Sequence, residues 1–390
     1  MRRATLLWLV AGVAAVARAQ EPRLLTGYYQ NVPLWSASNE LVPGGMSDFN
    51  RFRISAEREL GDFSFELAYE QVLTLRENES PGVFVGAVPS GGEWLDLQWT
   101  FEESEHVLWQ HRFDRLKAGW APISSLRIDV GRQAVSWATT LFLTPSDPFS
   151  ALDPADPFRE FRAGVDALRV RVYPGPLSEV DVVVRPTKTA VGEELTALGR
   201  GLTTVRGWEL SGWAGLLYDE AAGAFGASGS LGPWALRGEG TLRDQDEDLV
   251  FRGSIGLDRR FTLRGRDLLV VLEYQRDGFG AAGEEDYARV LDSEPFLRGE
   301  LQVLGRDGAA IQTSYQLHPL WSFAGLLLWN LGDGSALVSP SFAYSASDSA
   351  AVSGGLFFGF GPSALASPGE LPSEYGLVPT TAYVSVSLFF

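Results

Sequence analysis

The sequence predicts an all-β fold, a transmembrane antiparallel barrel of about 18 strands, with about 16 as the second choice. Most of the chain divides into short runs in which apolar and polar residues alternate, and tight turns alternate with long polar loops between these runs. The last run, 382–390, ends in an aromatic residue. Alternation suits a strand with one face in lipid and the other toward a polar lumen, and short turns on one rim with long loops on the other are typical of outer-membrane barrels.

The first residues have the pattern of a cleaved export signal. Two arginines precede the apolar run 6–16, and 17–19 has the small-x-small pattern of a cleavage site. The apolar run is shorter than the roughly 20 residues that a spanning helix needs, so an uncleaved anchor is disfavoured. We therefore expect a signal peptide at 1–19 and a single barrel at 20–390.

The composition agrees with an exported barrel and excludes several other classes. The chain contains 12 Trp, 23 Phe and 43 Gly. Its mean hydropathy is −0.01, whereas a helical membrane protein would be far more apolar. No cysteine is present, which excludes a disulfide framework, a thiol nucleophile and a cysteine metal site. The formal net charge of −17 argues against nucleic acid as a partner.

The first hairpin shows the alternation that recurs downstream. In 51–57, the phenylalanine and isoleucine face one way and Arg51 and Arg53 the other, and 63–70 alternates again after a short turn. The same pattern is found at 168–173, 179–185, 234–243, 251–258 and 311–317. A packed core could not hold so many unpaired charges, because burying each of them is costly. The polar face is therefore predicted to line a wet lumen.

The connections between the runs have two distinct lengths. Short turns are predicted at 60–62, 174–176, 231–233, 318–320 and 345–350, and long connections near 31–48, 73–108, 134–161, 277–306 and 361–379. With both termini on the periplasmic side, this alternation predicts an even number of strands, as bacterial barrels have.

One internal segment, within 109–173, resembles a known family. Its residues are Gly131-Arg132-Gln133, Trp137, Pro145, Asp147, Gly164 and Asp166-Ala167-Leu168-Arg169. The segment resembles Gram-negative outer-membrane porin-like proteins, including the alginate-export type, which share a GRQ…W…P-x-D segment followed by G-x-D-A-L-R. The resemblance implies a barrel of about 18 strands that passes small hydrophilic or anionic solutes. The chain departs from the pattern at 138–140, where Ala-Thr-Thr replaces a glycine.

The proline-rich and acidic loop at 134–161 is predicted to fold inward and narrow the lumen, since a loop of this length is usually functional. Its acidic residues would face a wall of arginines and set a transverse field that orients charged solutes. The predicted constriction residues are Asp147, Asp153 and Asp156 on the loop, and Arg51, Arg53, Arg127, Arg169, Arg171, Arg185, Arg237 and Arg252 on the wall.

Several alternatives stay open for these residues. The arginines could instead pair with lumen carboxylates, for which Glu57, Glu66, Asp129 and Asp181 are candidates. The carboxylates have no spacing of a known calcium loop. The G-x-G-x-x-G match at 278–283 lacks the βαβ context of a dinucleotide site, and an external loop is predicted there.

The predicted function is a passive or facilitated diffusion channel in the outer membrane of a Gram-negative bacterium, with no cofactor and no bound metal. Its expected partners are outer-membrane lipid and lipopolysaccharide, small solutes, and the barrel-assembly machinery through the strand that ends at Phe390. One alternative is a plugged barrel with a structural or adhesive role. An outer-membrane hydrolase built on His111, Asp114 and a serine such as Ser104 is less favoured, because no G-x-S-x-G elbow is present.

Overall fold

The computed structural model describes residues 25–39, 43–78, 92–149, 158, 161–245, 248–364 and 371–390. In these residues, antiparallel strands form one sheet of 19 strands that closes by pairing of β1 with β19. The strands are β1 (Leu25–Ser36), β2 (Gly45–Leu60), β3 (Phe63–Arg76), β4 (Gln98–Glu103), β5 (Val107–Ile123), β6 (Leu126–Gln133), β7 (Val165–Gly175), β8 (Ser178–Lys188), β9 (Glu193–Val205), β10 (Trp208–Leu217), β11 (Glu220–Leu231), β12 (Trp234–Gln245), β13 (Asp248–Leu263), β14 (Arg266–Asp277), β15 (Asp307–His318), β16 (Trp321–Asn330), β17 (Ala336–Ser347), β18 (Ala350–Phe360) and β19 (Thr381–Phe389).

Eighteen of these strands form the closed circuit. The short strand β4 stands outside it, because it pairs only with residues 108–112 of β5 while β6 pairs with 116–123 on the same edge. The predicted antiparallel barrel and its strand number are therefore confirmed.

All eight connections on one rim are two-residue turns, and we call this the short-turn rim. The turns lie at 61–62, 124–125, 176–177, 206–207, 232–233, 264–265, 319–320 and 348–349. Arg264 and Gly265 have φ of 52° and 76°, the left-handed pair that a tight hairpin turn with the twist of its strands requires. The five predicted short turns are all found on this rim.

The opposite rim, which we call the long-loop rim, carries the long connections at 37–44, 77–106, 134–164, 278–306 and 361–380. The prediction of a loop at 31–48 was too wide. Asn31 Nδ2 donates to Asp48 Oδ1 at 2.6 Å and to Asn50 Oδ1 at 3.0 Å across β1 and β2, so these polar residues belong to paired strands.

The loop 278–306 contains a 3₁₀ turn, Glu284–Asp286, and two short helices, Tyr287–Leu291 and Glu294–Leu297. Its glycine-rich start is packed, since Phe279 and Ala281 are buried in a cluster with residues of these helices. Within the described residues, no helix is long and apolar enough to span a membrane.

The two faces of the wall differ as predicted. On the paired strands β7 and β8, Leu168 and Val180 are 44% and 43% exposed on the outer face, whereas Asp181 on the inner face is 0% exposed. An apolar outer face and a charged inner face are the arrangement of a transmembrane barrel with a polar lumen.

Candidate functional site

The root of the loop 134–164 is held by the residues of the sequence motif. Arg132 and Asp166 are cross-strand partners on β6 and β7, joined by hydrogen bonds from Nε to Oδ1 at 2.9 Å and from Nη2 to Oδ2 at 2.8 Å. Asp147 accepts a hydrogen bond from Arg162 Nη1 at 2.8 Å, and its side chain has no exposed surface. The motif therefore builds the base of the loop.

Beyond its root, the loop contacts strands far around the barrel. Two inner-wall carboxylates, Glu239 on β12 and Glu273 on β14, accept six of its backbone N–H groups at 2.6 to 3.2 Å. The donors are Thr139, Thr140 and Ser146 to Glu239, and Leu141, Phe142 and Leu143 to Glu273. A carboxylate that accepts several N–H groups forms strong, charge-assisted hydrogen bonds. The described part of the loop is thus anchored across the lumen from its root.

Apolar side chains of three long loops meet on the inner face. They form one buried cluster with inner-face residues of β1 and β15–β19, and the loop members are Leu143, Phe158, Val303, Tyr375 and Val378. The loops 134–164, 278–306 and 361–380 are therefore packed against each other and against this part of the wall.

A polar network ties two of these loops to the end of β16. The Glu374 carboxylate accepts the backbone N–H groups of 304 and 305 at 2.8 and 3.0 Å and Nδ2 of Asn330 at 2.8 Å. Tyr287 donates its hydroxyl to Asp333 at 2.5 Å. Burial raises the pKa of the Glu374 carboxyl to about 7, with a further rise from the nearby Asp333 charge.

The ion-pair cluster on the inner wall of β2, β3 and β5 contains more basic than acidic groups, and Glu57 and Glu59 lie on the same face of β2 outside this cluster. The N–O distances within this cluster run from 2.6 to 3.8 Å. Its members are Arg51, Arg53, Arg112, Arg115 and Lys117 against Glu66, Glu70 and Asp114. Five basic side chains thus share three carboxylates, and positive charge is in excess.

Strands β6–β8 show the same imbalance. Asp129 is shared by Arg127 at 3.0 Å and Arg171 at 2.7 Å. Arg169 forms a bidentate pair with Asp181, with Nη2 to Oδ2 at 2.7 Å and Nε to Oδ1 at 3.0 Å.

The other predicted arginines are also engaged. Arg185 donates to the backbone carbonyls of Gly92 and Phe149, both at 3.1 Å. Arg237 pairs with Asp258, and Arg252 pairs with Asp277 at 2.8 Å.

All eight predicted arginines thus lie on the inner face and have protein partners. This agrees with the alternative in which the arginines are paired within the protein. Their partners include Asp129 and Asp181, two of the four carboxylates named for that alternative, whereas Glu66 pairs with Arg115 and Lys117. Asp147 points into the base of its own loop. Asp153 and Asp156 lie outside the described residues.

Sequence reasoning missed three inner-face residues that matter for the lumen: Arg200, Glu239 and Glu273. Arg200 on β9 lies between Leu198 and Leu202 on the inner face, so the local pattern gave no continuous charged face. The strand-like character of the segments with Glu239 and Glu273 was recognised. Their sequence neighbourhood, however, does not indicate a contact with a loop about a hundred residues away.

The residues imagined as a hydrolase triad are not brought together. His111 lies on the outer face of β5, where Tyr69 contacts its Nδ1 and Trp99 stacks on its ring. Asp114, at a β-bulge, lies on the inner face and pairs with Arg53 at 2.7 Å. Because the wall separates the two side chains, the proposed triad is wrong.

The comparisons with known proteins identify barrels of similar architecture. OccAB1 of Acinetobacter baumannii is similar with a TM-score of 0.56 at 9% identity over 94% of this chain and 96% of that chain. A BenF-like porin from Pseudomonas fluorescens Pf-5 gives 0.56 at 11% identity over 94% and 98%. Pseudomonas aeruginosa OpdK, solved with vanillate, gives 0.54 at 10% identity over 94% and 98%.

No family model and no curated protein matches the chain. The structural likeness therefore establishes a shared barrel fold, and the lumen of this chain has to be understood from its own residues.

Proposed function

We propose that the protein is an outer-membrane channel for passive or facilitated diffusion of small hydrophilic solutes, with a preference for anions. The observation that carries the proposal is a closed barrel whose inner wall on β2–β8 carries clustered basic side chains, mostly arginines, that outnumber the carboxylates paired with them. A loop anchored to the opposite wall supports a narrowed lumen. Positive charge in a narrow polar lumen attracts anions and repels cations. Among the similar folds, one is named a BenF-like porin and another, OpdK, was solved with the anion-forming vanillate, and both agree with this function.

The proposed orientation places the short-turn rim in the periplasm and the long-loop rim outside the cell. The outer face then contacts outer-membrane lipid and lipopolysaccharide. The signal peptide at 1–19 lies outside the described residues and remains part of the proposal, as does the finer kinship with alginate-export porins that the motif suggests.

We further propose that the barrel-assembly machinery recognises the last strand through Phe390. This residue exchanges two backbone hydrogen bonds of 3.0 Å with Gly27 and stacks on Phe52 at 6.1 Å. Phe390→Ala is expected to lower the amount of folded barrel in cells about threefold or more, because it removes the aromatic side chain that the machinery would recognise and keeps the backbone bonds to Gly27. Refolding of the purified variant in detergent should be unaffected. Equal losses in both assays would indicate a stability defect instead.

No step of covalent chemistry is proposed, since the imagined catalytic side chains face opposite sides of the wall. Transport would be electrodiffusion past the loop 134–164.

The test is single-channel current through the refolded protein in a planar bilayer, with a salt gradient across it. The expected result is stable conductance with a reversal potential whose sign shows that anions permeate better than cations. A correctly folded barrel that never conducts would overturn the proposal and favour the plugged, structural alternative.

A further inference from the structure

We propose that Arg200 forms the anion-binding point of the lumen and sets its charge preference. The inference rests on the proposed channel function and deepens it, because it assigns selectivity to one residue. The ligands it would take are small oxyanions, carboxylate or phosphate.

The Arg200 guanidinium differs from the eight arginines discussed above in having neither an ion pair nor a hydrogen-bond partner within the described residues. Within the described residues, no carboxylate oxygen lies within ion-pair distance of it, and its Nε is buried without a hydrogen-bond partner. Its remaining contact is with the indole of Trp137, whose ring centroid lies 5.8 Å from the guanidinium carbon. A guanidinium normally uses its five N–H donors when it leaves water, so Arg200 has unused donors.

Strand register explains why no protein carboxylate serves Arg200. Arg127, Arg171, Asp181 and Arg200 are successive cross-strand partners on β6 to β9, so they form one row across the inner face. The Asp181 carboxylate beside Arg200 is already engaged by the bidentate pair with Arg169.

The neighbouring row does not supply the missing charge. Asp129 is occupied by Arg127 and Arg171, so the four arginines of these two rows share only two aspartates. Glu179, Glu209 and Asp147 act on Arg200 through longer-range electrostatics and form no ion pair with it. Within these two rows, Arg200 is therefore the guanidinium without a paired carboxylate.

The position of Arg200 makes this charge effective. Trp137 belongs to the root of the loop 134–164, and its Nε1 donates to Asp181 at 3.0 Å, which fixes the indole beside the row. A solute that passes the loop root therefore passes the guanidinium. The planar fork of donors matches two oxygens of a carboxylate or phosphate, which a spherical halide cannot reproduce.

The experiment compares three variants of the full-length barrel in planar bilayers. Arg200→Gln removes the charge, Arg200→Lys keeps the charge without the fork, and Arg260→Gln removes a charge at the short-turn rim, where Arg260 is exposed and only loosely paired with Asp267 at 3.5 Å. The readouts are the reversal potential in a potassium chloride gradient and the saturation of conductance with potassium acetate and potassium phosphate.

The expected result is an anion-to-cation permeability ratio that falls about threefold or more in Arg200→Gln and changes little in Arg260→Gln. Arg200→Lys should keep the reversal potential but lose saturation by acetate and phosphate. Saturation by phosphate and not by acetate would identify a phosphate site, and the converse a carboxylate site.

A conducting wild-type channel whose selectivity is equal in Arg200→Gln and Arg260→Gln would overturn the inference and leave the channel function standing. A wild-type barrel without conductance would instead overturn the channel function itself.

Discussion

Replacing both Glu239 and Glu273 by alanine is expected to release the loop 134–164 from the opposite wall and raise single-channel conductance about twofold or more. The two carboxylates accept six backbone N–H groups of the loop, and no other described acceptor is seen for the groups of Thr139, Leu141 and Phe142. A hydrogen bond to a charged group contributes about 1.5 to 3 kcal/mol, so losing several of them removes most of the anchor.

The barrel itself should survive this double substitution. Its strands are held by cross-strand pairing around a closed circuit, and neither glutamate is needed for that pairing. The measurements are the conductance and the cleavage of the folded barrel by an added protease within 134–149. New cleavage together with higher conductance is the expected pair of results.

A matched control removes two lumen carboxylates without touching the loop. Glu57→Ala with Glu59→Ala deletes the same charge near the short-turn rim, on the inner face of β2. If this control raises conductance as much as the loop variant, the change arises from lumen charge and the loop does not constrict the pore.

The strands could be predicted from the sequence because a barrel wall imposes a local rule. Each strand must alternate between lipid and lumen, so runs such as Leu168 to Val172 reveal both the element and its faces. Two-residue turns are equally local. The rule fails where polar residues sit on the outer face, as with Asn31 and Asp48, which satisfy each other across two strands. It also fails where apolar residues sit on the inner face beneath the loops, as with Val32 and Leu34.

The candidate site could not be predicted to the same depth, because its contacts are set by register between strands distant in sequence. The arginines were correctly placed on the inner face. Asp181 lies near both Arg169 and Arg200, and the strand register decides that it pairs with Arg169 and leaves Arg200 without an ion pair. The destination of the loop 134–164 likewise depends on Glu239 and Glu273, about a hundred residues downstream. Local patterns carry no information about such pairings.

A second large effect is expected from pH, through the buried carboxyl of Glu374. The group that joins the loops 278–306 and 361–380 has a pKa of about 7 when docked, because burial raises it from the ordinary value of 4.5. The facing groups are Asp333, Tyr287, Tyr375 and the Asn330 amide. The docked state therefore binds more protons than the undocked state between these two pH values.

The sign follows from that difference. A carboxyl whose pKa is raised on docking contributes stability that is fully present below its undocked pKa and is lost as pH rises through about 7. Each pH unit between the two values contributes about 1.4 kcal/mol, so docking weakens by about 3 kcal/mol from acid to alkaline conditions. We expect the docked loops, and with them a lower conductance, to predominate in acid.

Glu374→Gln should remove this dependence, because a neutral amide cannot ionise, and its oxygen in the place of Oε2 can still accept from the N–H group of 305 and from Asn330 Nδ2. Since the chain has no cysteine, Val303→Cys places a single thiol in the buried loop cluster, and its rate of labelling reports undocking independently of current.

In the Val303→Cys background, labelling should accelerate between about pH 5 and about pH 9 when residue 374 is Glu and stay slow when it is Gln. Asp286→Asn changes a partly exposed carboxyl on the same loop whose pKa is lowered by the N–H of Ala282, and it should keep the wild-type pH profile. Because the thiol reagent itself reacts faster at high pH, an exposed reference cysteine must correct each rate. A corrected rate that rises equally in both backgrounds would show that Glu374 does not control the docking of these loops.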